Sequence, residues 1–86
     1  VVYFHGGGWT GGAAQHSGGQ TAWFADQGWL VVSVDYRLAT VDEATWDKAP
    51  ADVACALIWT VEHASALGAD VSRVVYFHGD SAGGNL

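Results

Sequence analysis

The chain has 86 residues, of which half are hydrophobic and five are tryptophan, and its formal net charge is −6. Only three residues are Lys or Arg, which argues against nucleic-acid binding and against attraction to anionic membranes. No run approaches the roughly 18 apolar residues of a membrane span. Such an apolar composition is typical of the interior of a packed domain and excludes a disordered tail.

The chain begins in an apolar run without an initiating methionine and stops at Leu86, where another helix would be starting. We therefore expect residues 1–86 to be an internal fragment of one larger domain, truncated at both ends. Cys55 is the only cysteine, so no intrachain disulfide forms and the compartment stays undetermined. Its apolar helical surroundings predict a core position. Localisation and oligomeric state are left open.

The first half of the chain predicts a strand, a glycine loop, a helix and a second strand. These segments are residues 1–5, 6–12, 17–27 and 29–35. The loop is assigned because no helix or strand tolerates that density of glycine. Ser17 is expected to cap the helix and Gly28 to end it. Trp23 and Phe24 are expected to face the sheet.

The second half predicts an irregular connection, a helix, a third strand and the start of a further helix. The first three are residues 36–47, 51–67 and 73–78. Pro50 suits a first helical turn, and Gly68 provides the stop. Because apolar strands alternate with helices, the sequence predicts an α/β fold with a parallel sheet and helices on both faces.

The last eight residues carry the clearest functional pattern. Ser81 lies between Gly79 and Gly83, directly after the third predicted strand, as in a nucleophile elbow. The sharp turn forces the serine into a strained conformation, and the glycines remove side chains that would clash. The hydroxyl then stands at a helix N-terminus, where amides favour developing negative charge. We predict that Ser81 is a catalytic nucleophile.

A second glycine loop offers the oxyanion donors that a serine nucleophile needs. His5-Gly6-Gly7-Gly8 directly follows the first predicted strand. Loops that leave the carboxyl edge of a parallel sheet can converge on one crevice. We expect the N–H of Ala82 to be one donor and amides of the glycine loop to be the others.

Three blocks together carry a family resemblance. They are His5–Trp9 (HGGGW), Asp35–Ala39 (DYRLA) and Gly79–Asn85 (GDSAGGN). In this order and at this spacing the chain resembles the hormone-sensitive-lipase-type esterases of the α/β-hydrolase fold, over essentially its whole length. It departs from that family after the second block, where TVDE replaces the usual Pro-Glu and no proline occurs before Pro50.

The resemblance implies the central part of an α/β-hydrolase catalytic domain, from the oxyanion-loop strand to the nucleophile elbow. It implies hydrolysis of small carboxylic esters with short acyl chains, without a metal or an organic cofactor. The nucleophile maps onto Ser81, and the oxyanion donors map onto the amides of Gly6, Gly7 and Ala82, with Gly8 supporting the turn. The family's acid and histidine follow the nucleophile, so we expect them beyond this chain and expect the isolated fragment to be inactive.

Other residues in these blocks have structural interpretations. We expect His5 to hold the glycine loop by hydrogen bonds rather than to transfer protons. Asp80 is expected to accept hydrogen bonds from nearby loops rather than to serve as the triad acid. Asp35 and Arg37 are expected to tie loops together. Trp9 is placed near the acyl or alcohol pocket.

Alternative functions share part of this pattern. A phosphate-binding loop would need Gly-x-Gly-x-x-Gly or Walker spacing with its lysine, whereas the only lysine is Lys48. The four histidines contain no convincing zinc spacing. A non-catalytic small-ligand receptor on the same scaffold is excluded by nothing in residues 1–86, since gibberellin receptors resemble the same family and keep the serine loop while losing the triad histidine. An amidase or arylformamidase would share every residue present here.

Overall fold

The computed structural model describes residues 1–86 as a three-stranded parallel sheet with helices packed against it. The strands are β1 (Val2–Phe4), β2 (Val32–Val34) and β3 (Phe77–Gly79). The helices are α1 (Gly18–Asp26), α2 (Lys48–His63) and α3 (Ala82–Asn85), with a 3-10 helix at Ala14–His16. The predicted α/β class and parallel sheet are confirmed. None of the helices has the length and apolar character that crossing a membrane requires.

β1 is the central strand of the sheet, whose order is β2-β1-β3. Val2 pairs with Val32 on one side and with Phe77 on the other. The chain therefore leaves β1 toward one neighbour through α1 and later crosses to the other neighbour through α2. Such a reversal opens a crevice at the carboxyl edge, between the loops that follow β1 and β3.

The core lies on the face of the sheet that α2 covers. Val2 and Phe4 form a buried cluster with Tyr36 and Ala49. Full burial of a valine or phenylalanine side chain such as Val2 or Phe4 contributes about 1.5–3 kcal/mol. Partly buried residues around this cluster are Val34, Leu38, Val53, Ala56, Leu57 and Leu86.

The opposite face of the sheet carries aromatic contacts with α1. Successive side chains of a strand point to opposite faces, so Tyr3 points away from Val2 and Phe4. Its ring stacks on His78, with ring centroids 5.7 Å apart. Phe24 of α1 packs edge-on against His78 at 5.5 Å. Helices therefore lie on both faces, as the sequence predicts.

Three side-chain predictions are wrong. Ser17 precedes α1, but its side chain makes no capping hydrogen bond; its hydroxyl lies 2.7 Å from that of Thr21 instead. Trp23 is 58% exposed, and only its neighbour Phe24 packs on the sheet side. Adjacent helical residues point about 100° apart, so the two rings cannot share one face. Cys55 is exposed on α2 rather than buried, because the apolar residues of this helix outnumber the positions that face β1.

α2 begins at Lys48 and ends at His63, rather than covering residues 51–67. It begins early because the Thr45 carbonyl accepts the N–H of Lys48 at 3.1 Å and thereby forms the first turn. Pro50 lies in that first turn as predicted. The chain then continues in turns to Gly68, whose φ of 85° ends the segment.

In the connection of residues 36–47, which lacks the family's usual prolines, hydrogen bonds fix the turn instead. The N–H of Thr40 donates to the Glu43 carbonyl at 2.8 Å, and the N–H of Glu43 donates to the Thr40 hydroxyl at 3.1 Å. The Glu43 carboxylate also pairs with Lys48 at the start of α2. These contacts hold residues 40–43 in a turn without the stiffness that a proline would give.

Candidate active site

Ser81 occupies the turn between β3 and α3 in a strained backbone conformation, with φ 49° and ψ −113°. Trp9 is the one other non-glycine residue with a positive φ. Such conformations cost on the order of 1–3 kcal/mol and persist only where the surrounding structure imposes them. The strained turn expected from the glycine spacing is therefore present, and the Ser81 side chain is exposed on it.

The flanking glycines allow α3 to lie directly against β1 and β3. A Cβ on Gly79 would lie 2.5 Å from the carbonyl carbon of Gly83. A Cβ on Gly83 would lie 2.5 Å from the carbonyl carbon of Phe4 and 2.7 Å from the carbonyl oxygen of His5. Real Cβ atoms essentially never approach within 3.0 Å. A side chain on Gly83 would push α3 away from β1, and one on Gly79 would push α3 away from β3.

The glycine loop and the elbow meet at Gly6 and Ser81. A Cβ on Gly6 would lie 3.2 Å from the Cβ of Ser81 and 3.1 Å from the carbonyl oxygen of Asp80. The N–H of Asp80 donates to the Phe4 carbonyl at 3.1 Å, which continues the β1–β3 pairing up to the two loops. Neighbouring parallel strands thus bring the two motifs together at one edge of the sheet.

Several backbone N–H groups near this junction donate to no acceptor within the chain. They include those of Gly6, Gly7, Gly8 and Ala82. Free amides beside a serine hydroxyl are the groups that stabilise a developing oxyanion. The arrangement can therefore hold a negatively charged oxygen next to Ser81.

The His5 ring is buried beneath the glycine loop and stacked on Tyr36. It is 3% exposed, and the two ring centroids are 4.4 Å apart. Nδ1 lies 2.7 Å from the Gly6 carbonyl oxygen, which can only accept, so Nδ1 carries the proton and donates. The expected hydrogen bond from His5 to the loop is present. Nε2 is buried without a hydrogen-bond partner, 3.9 Å from Oδ1 of Asp35.

Tyr36 also hydrogen-bonds the residue that opens the loop. Its hydroxyl donates to the His5 carbonyl at 2.6 Å. Burial raises the pKa of Tyr36, so the hydroxyl stays protonated and able to donate at neutral pH. No pattern in the sequence predicts this role for Tyr36. Its only signal was its place in the DYRLA block, because the contact joins residues 31 positions apart.

Asp80 does not have the side-chain role expected of it, because its carboxylate accepts no hydrogen bond within the chain. Its backbone makes the link instead, since its N–H donates to the Phe4 carbonyl of β1 at 3.1 Å. The carboxylate affects its surroundings electrostatically. Burial raises the pKa of Tyr3, and the charge of Asp80 raises it further.

Asp35 and Arg37 make the expected ties between loops and helices. Oδ1 of Asp35 accepts the N–H of Ala14 at 2.6 Å. Arg37 donates to both carboxylate oxygens of Asp52 on α2, with Nε–Oδ2 and Nη2–Oδ1 distances of 2.9 and 2.8 Å. These bonds are the main reason that the pKa of Asp52 is lowered. The segment carrying Tyr36 is therefore anchored on both sides.

An apolar crevice of about 370 Å³ lies beside the glycine loop, with Trp9 and Trp46 in its walls and Leu86 of the elbow segment at one end. The Trp9 carbonyl accepts the N–H of Ala39 at 2.8 Å, which fixes one wall. A larger crevice of about 750 Å³ is lined by residues that precede the strands, including Val1 and Leu30. That crevice lies at the opposite edge of the sheet from Ser81.

Two of the three remaining histidines make side-chain hydrogen bonds, whereas His16 makes none. Nε2 of His78 lies 2.9 Å from Oε1 of Gln20, and its ring stacks on Tyr3. Nδ1 of His63 donates to the Trp59 carbonyl on α2. No group of three or more His, Cys, Asp or Glu side chains is placed to hold a metal ion.

Comparison with known proteins places the chain in a family. Residues 1–86 match the family described as alpha/beta hydrolase fold. The whole chain is 46% identical to carboxylesterase NlhH of Mycobacterium tuberculosis and 44% identical to lipase 2 of a Moraxella species, covering 26% and 19% of their lengths. It is 36% identical to human hormone-sensitive lipase, covering 8% of that protein.

The chain thus spans about a quarter or less of the curated relatives it matches. No solved structure is matched by it. The family match over every residue, together with the parallel sheet and the relatives named above, confirms the resemblance carried by the three sequence blocks. The chain belongs to the α/β-hydrolase fold family, among its hormone-sensitive-lipase-type members.

Proposed function

We propose that the protein carrying this chain is a carboxylic-ester hydrolase that acts on short-chain acyl esters through a Ser81 acyl-enzyme. The observation that carries this proposal is the strained, exposed Ser81 beside Gly6 and the free amides around it. The relatives reported above are named carboxylesterase and lipase, which supports ester hydrolysis over ligand reception.

The mechanism follows from these groups. A histidine outside residues 1–86 takes the proton of the Ser81 hydroxyl as its oxygen attacks the ester carbonyl. The amides of Gly6, Gly7 and Ala82 hold the oxyanion of the tetrahedral intermediate. The alcohol leaves with the proton from that histidine, and the acyl group stays on Ser81. Water then attacks the acyl-enzyme, gives a proton to the same histidine, and the acid leaves as Ser81 regains its proton.

The substrate is a small ester because the site is an open edge of the sheet with an apolar wall. The 370 Å³ crevice beside Trp9 has room for a short apolar group. No step of the proposed reaction requires a metal or an organic cofactor. Trp9 contributes an apolar ring to this wall, where it would contact the acyl or the alcohol part.

Replacement of the nucleophile tests the proposed function. In the full-length protein, Ser81→Ala should abolish turnover of a p-nitrophenyl short-chain ester and leave the free energy of unfolding nearly unchanged, because the hydroxyl makes no hydrogen bond in the chain. Ser65→Ala is the matched control, since Ser65 is exposed and distant in sequence from both loops. Full activity in Ser81→Ala would remove Ser81 as nucleophile. An amide hydrolysed faster than its matched ester would favour an amidase instead.

We also propose that residues 1–86 form part of a larger catalytic domain. Large apolar side chains are exposed on both sides of the sheet, among them Trp46 (82%), Val74 (59%) and Phe77 (53%), and exposed apolar surface of this extent marks a covered interface. The isolated 86 residues should therefore be inactive and poorly folded. Esterase turnover by the isolated chain that is lost in Ser81→Ala would contradict this.

A further inference from the structure

The carbonyl groups of the glycine loop are hydrogen-bonded on the side away from its free amides. The His5 carbonyl accepts from the Tyr36 hydroxyl, and the Gly6 carbonyl accepts from Nδ1 of His5. The Gly7 carbonyl accepts from two amides later in the loop. Meanwhile the N–H groups of the next residue in each case donate to nothing in the chain.

This pattern matters because a peptide unit is planar. In a trans peptide the C=O of one residue and the N–H of the next point in opposite directions, and the chain has no cis peptide bond. A hydrogen bond that fixes the His5 carbonyl therefore fixes the direction of the Gly6 N–H. In the same way, a hydrogen bond to the Gly6 carbonyl fixes the direction of the Gly7 N–H.

We propose that Tyr36 and His5 are positioning residues that aim the Gly6 and Gly7 amides at the oxyanion. Tyr36 acts through the His5–Gly6 peptide, and the His5 imidazole acts through the Gly6–Gly7 peptide. This inference rests on the proposed function, because it assigns the direction of two donors in that reaction.

Both residues are rigid enough for this role. Tyr36 is 3% exposed and belongs to the core cluster of β1 and α2, so its hydroxyl is held by packing. Arg37, the next residue, is fixed to Asp52 by a bidentate contact. The His5 ring lies nearly parallel to the Tyr36 ring, at an angle of 15°, which fixes the orientation of Nδ1.

The hydrogen bonds to the His5 and Gly6 carbonyls are needed because the backbone of the glycine loop is conformationally free. Gly7 has φ 129° and Gly8 has φ 60°, and glycine backbones reach alternative conformations with little steric cost. Without a partner for each carbonyl, a Gly6 or Gly7 peptide could rotate and turn its N–H away from the oxyanion. The phenol of Tyr36 is in the donating form throughout the neutral range, since an ordinary phenol has a pKa of about 10 and burial raises the pKa of Tyr36 further.

The test compares an ester with its thionoester, in which sulfur replaces the carbonyl oxygen and accepts hydrogen bonds poorly from an oxyanion hole. In the full-length protein, Tyr36→Phe should lower kcat for the ester by at least about tenfold, since loss of one such donor costs about 10²–10³. KM should change little. Thionoester turnover should fall much less, so the ratio of the kcat for the ester to the kcat for the thionoester should shrink.

Tyr76→Phe is the matched control, because the Tyr76 hydroxyl makes no hydrogen bond and its ring is 46% exposed; both rates should stay unchanged. A second pair keeps the test decisive if Tyr36→Phe unfolds the protein. His5→Phe retains a ring against Tyr36 but loses the Nδ1–H donor, so the ratio should shrink. His5→Asn places an amide N–H near that position and should restore the ratio.

Equal losses for the ester and the thionoester in Tyr36→Phe and His5→Phe would mean a merely structural role and would overturn the inference. So would His5→Asn behaving like His5→Phe. Failure of the proposed function is seen separately, because full ester turnover in Ser81→Ala overturns both proposals whatever the ratios are.

Discussion

Gly83→Ala tests how closely the elbow must lie against β1. The added Cβ would point at backbone atoms that cannot rotate away. It would lie 2.5 Å from the carbonyl carbon of Phe4 and 2.7 Å from the carbonyl oxygen of His5, where ordinary contacts begin at 3.4 Å. The Phe4 carbonyl oxygen lies closer still, so α3 and Ser81 must move from β1 by on the order of 1 Å or more to relieve these overlaps.

The displacement has two measurable consequences. Overpacking of this kind typically costs about 1–3 kcal/mol of stability. A shift of about 1 Å between reacting groups can cost around 10²-fold in rate, and here the shift separates Ser81 from the Gly6 amide on β1's loop. We therefore expect Gly83→Ala to lower kcat for a short-chain ester by about 10²-fold as well as the free energy of unfolding.

The assay uses the full-length protein, with ester turnover and urea denaturation measured on the same samples. Gly19→Ala is the matched control, because a Cβ on Gly19 meets no atom within 4 Å and its φ is not positive. Gly19 is the second residue of α1, so that change should stabilise by less than the roughly 1 kcal/mol that separates Gly from Ala in a helix interior. Wild-type turnover and stability in Gly83→Ala would refute the reasoning about the elbow.

Two further changes test other parts of the fold. Gly28→Ala should destabilise by about 1–2 kcal/mol without changing turnover, because Gly28 has φ 86° but open space for a Cβ; unchanged stability would show that the turn relaxes. Asp52→Asn should lower the urea midpoint at neutral pH. The hydrogen bonds from Arg37 lower the pKa of Asp52 in the folded state. Their contribution to the free energy of unfolding is therefore fully present above the pKa of Asp52 in the unfolded chain, about 4, and is lost as the pH falls through the lower pKa of the folded state. The wild-type and Asp52→Asn midpoints should therefore converge in acid, and a gap that persists there would contradict the assignment.

The features predicted correctly from the sequence are those set by the backbone conformation that a short stretch of residues requires. Ser81 between two glycines after an apolar run requires a particular turn, and Gly28 and Gly68 ended their segments for the same conformational reason. The alternation of strands and helices is likewise a property of consecutive residues, so the parallel α/β arrangement followed from it.

The features that sequence reasoning missed depend on partners far along the chain. Periodicity could not decide whether Trp23 or Phe24 packs on the sheet, because both are apolar and adjacent. The apolar neighbours of Cys55 in the sequence predict a core position, whereas its exposure depends on which face of α2 meets β1. The contact of Tyr36 with the His5 carbonyl required the register of two strands, which no local pattern specifies.

The central claim is that Ser81 is the nucleophile, and covalent labelling tests it most directly. The full-length protein would be treated with diethyl p-nitrophenyl phosphate, and the modified residue would be located by peptide mass spectrometry. The account predicts loss of ester turnover in step with one phosphoryl adduct on the Ser81 hydroxyl, and no adduct in Ser81→Ala. Inactivation with the adduct on another residue, or continued turnover by protein fully labelled at Ser81, would contradict it.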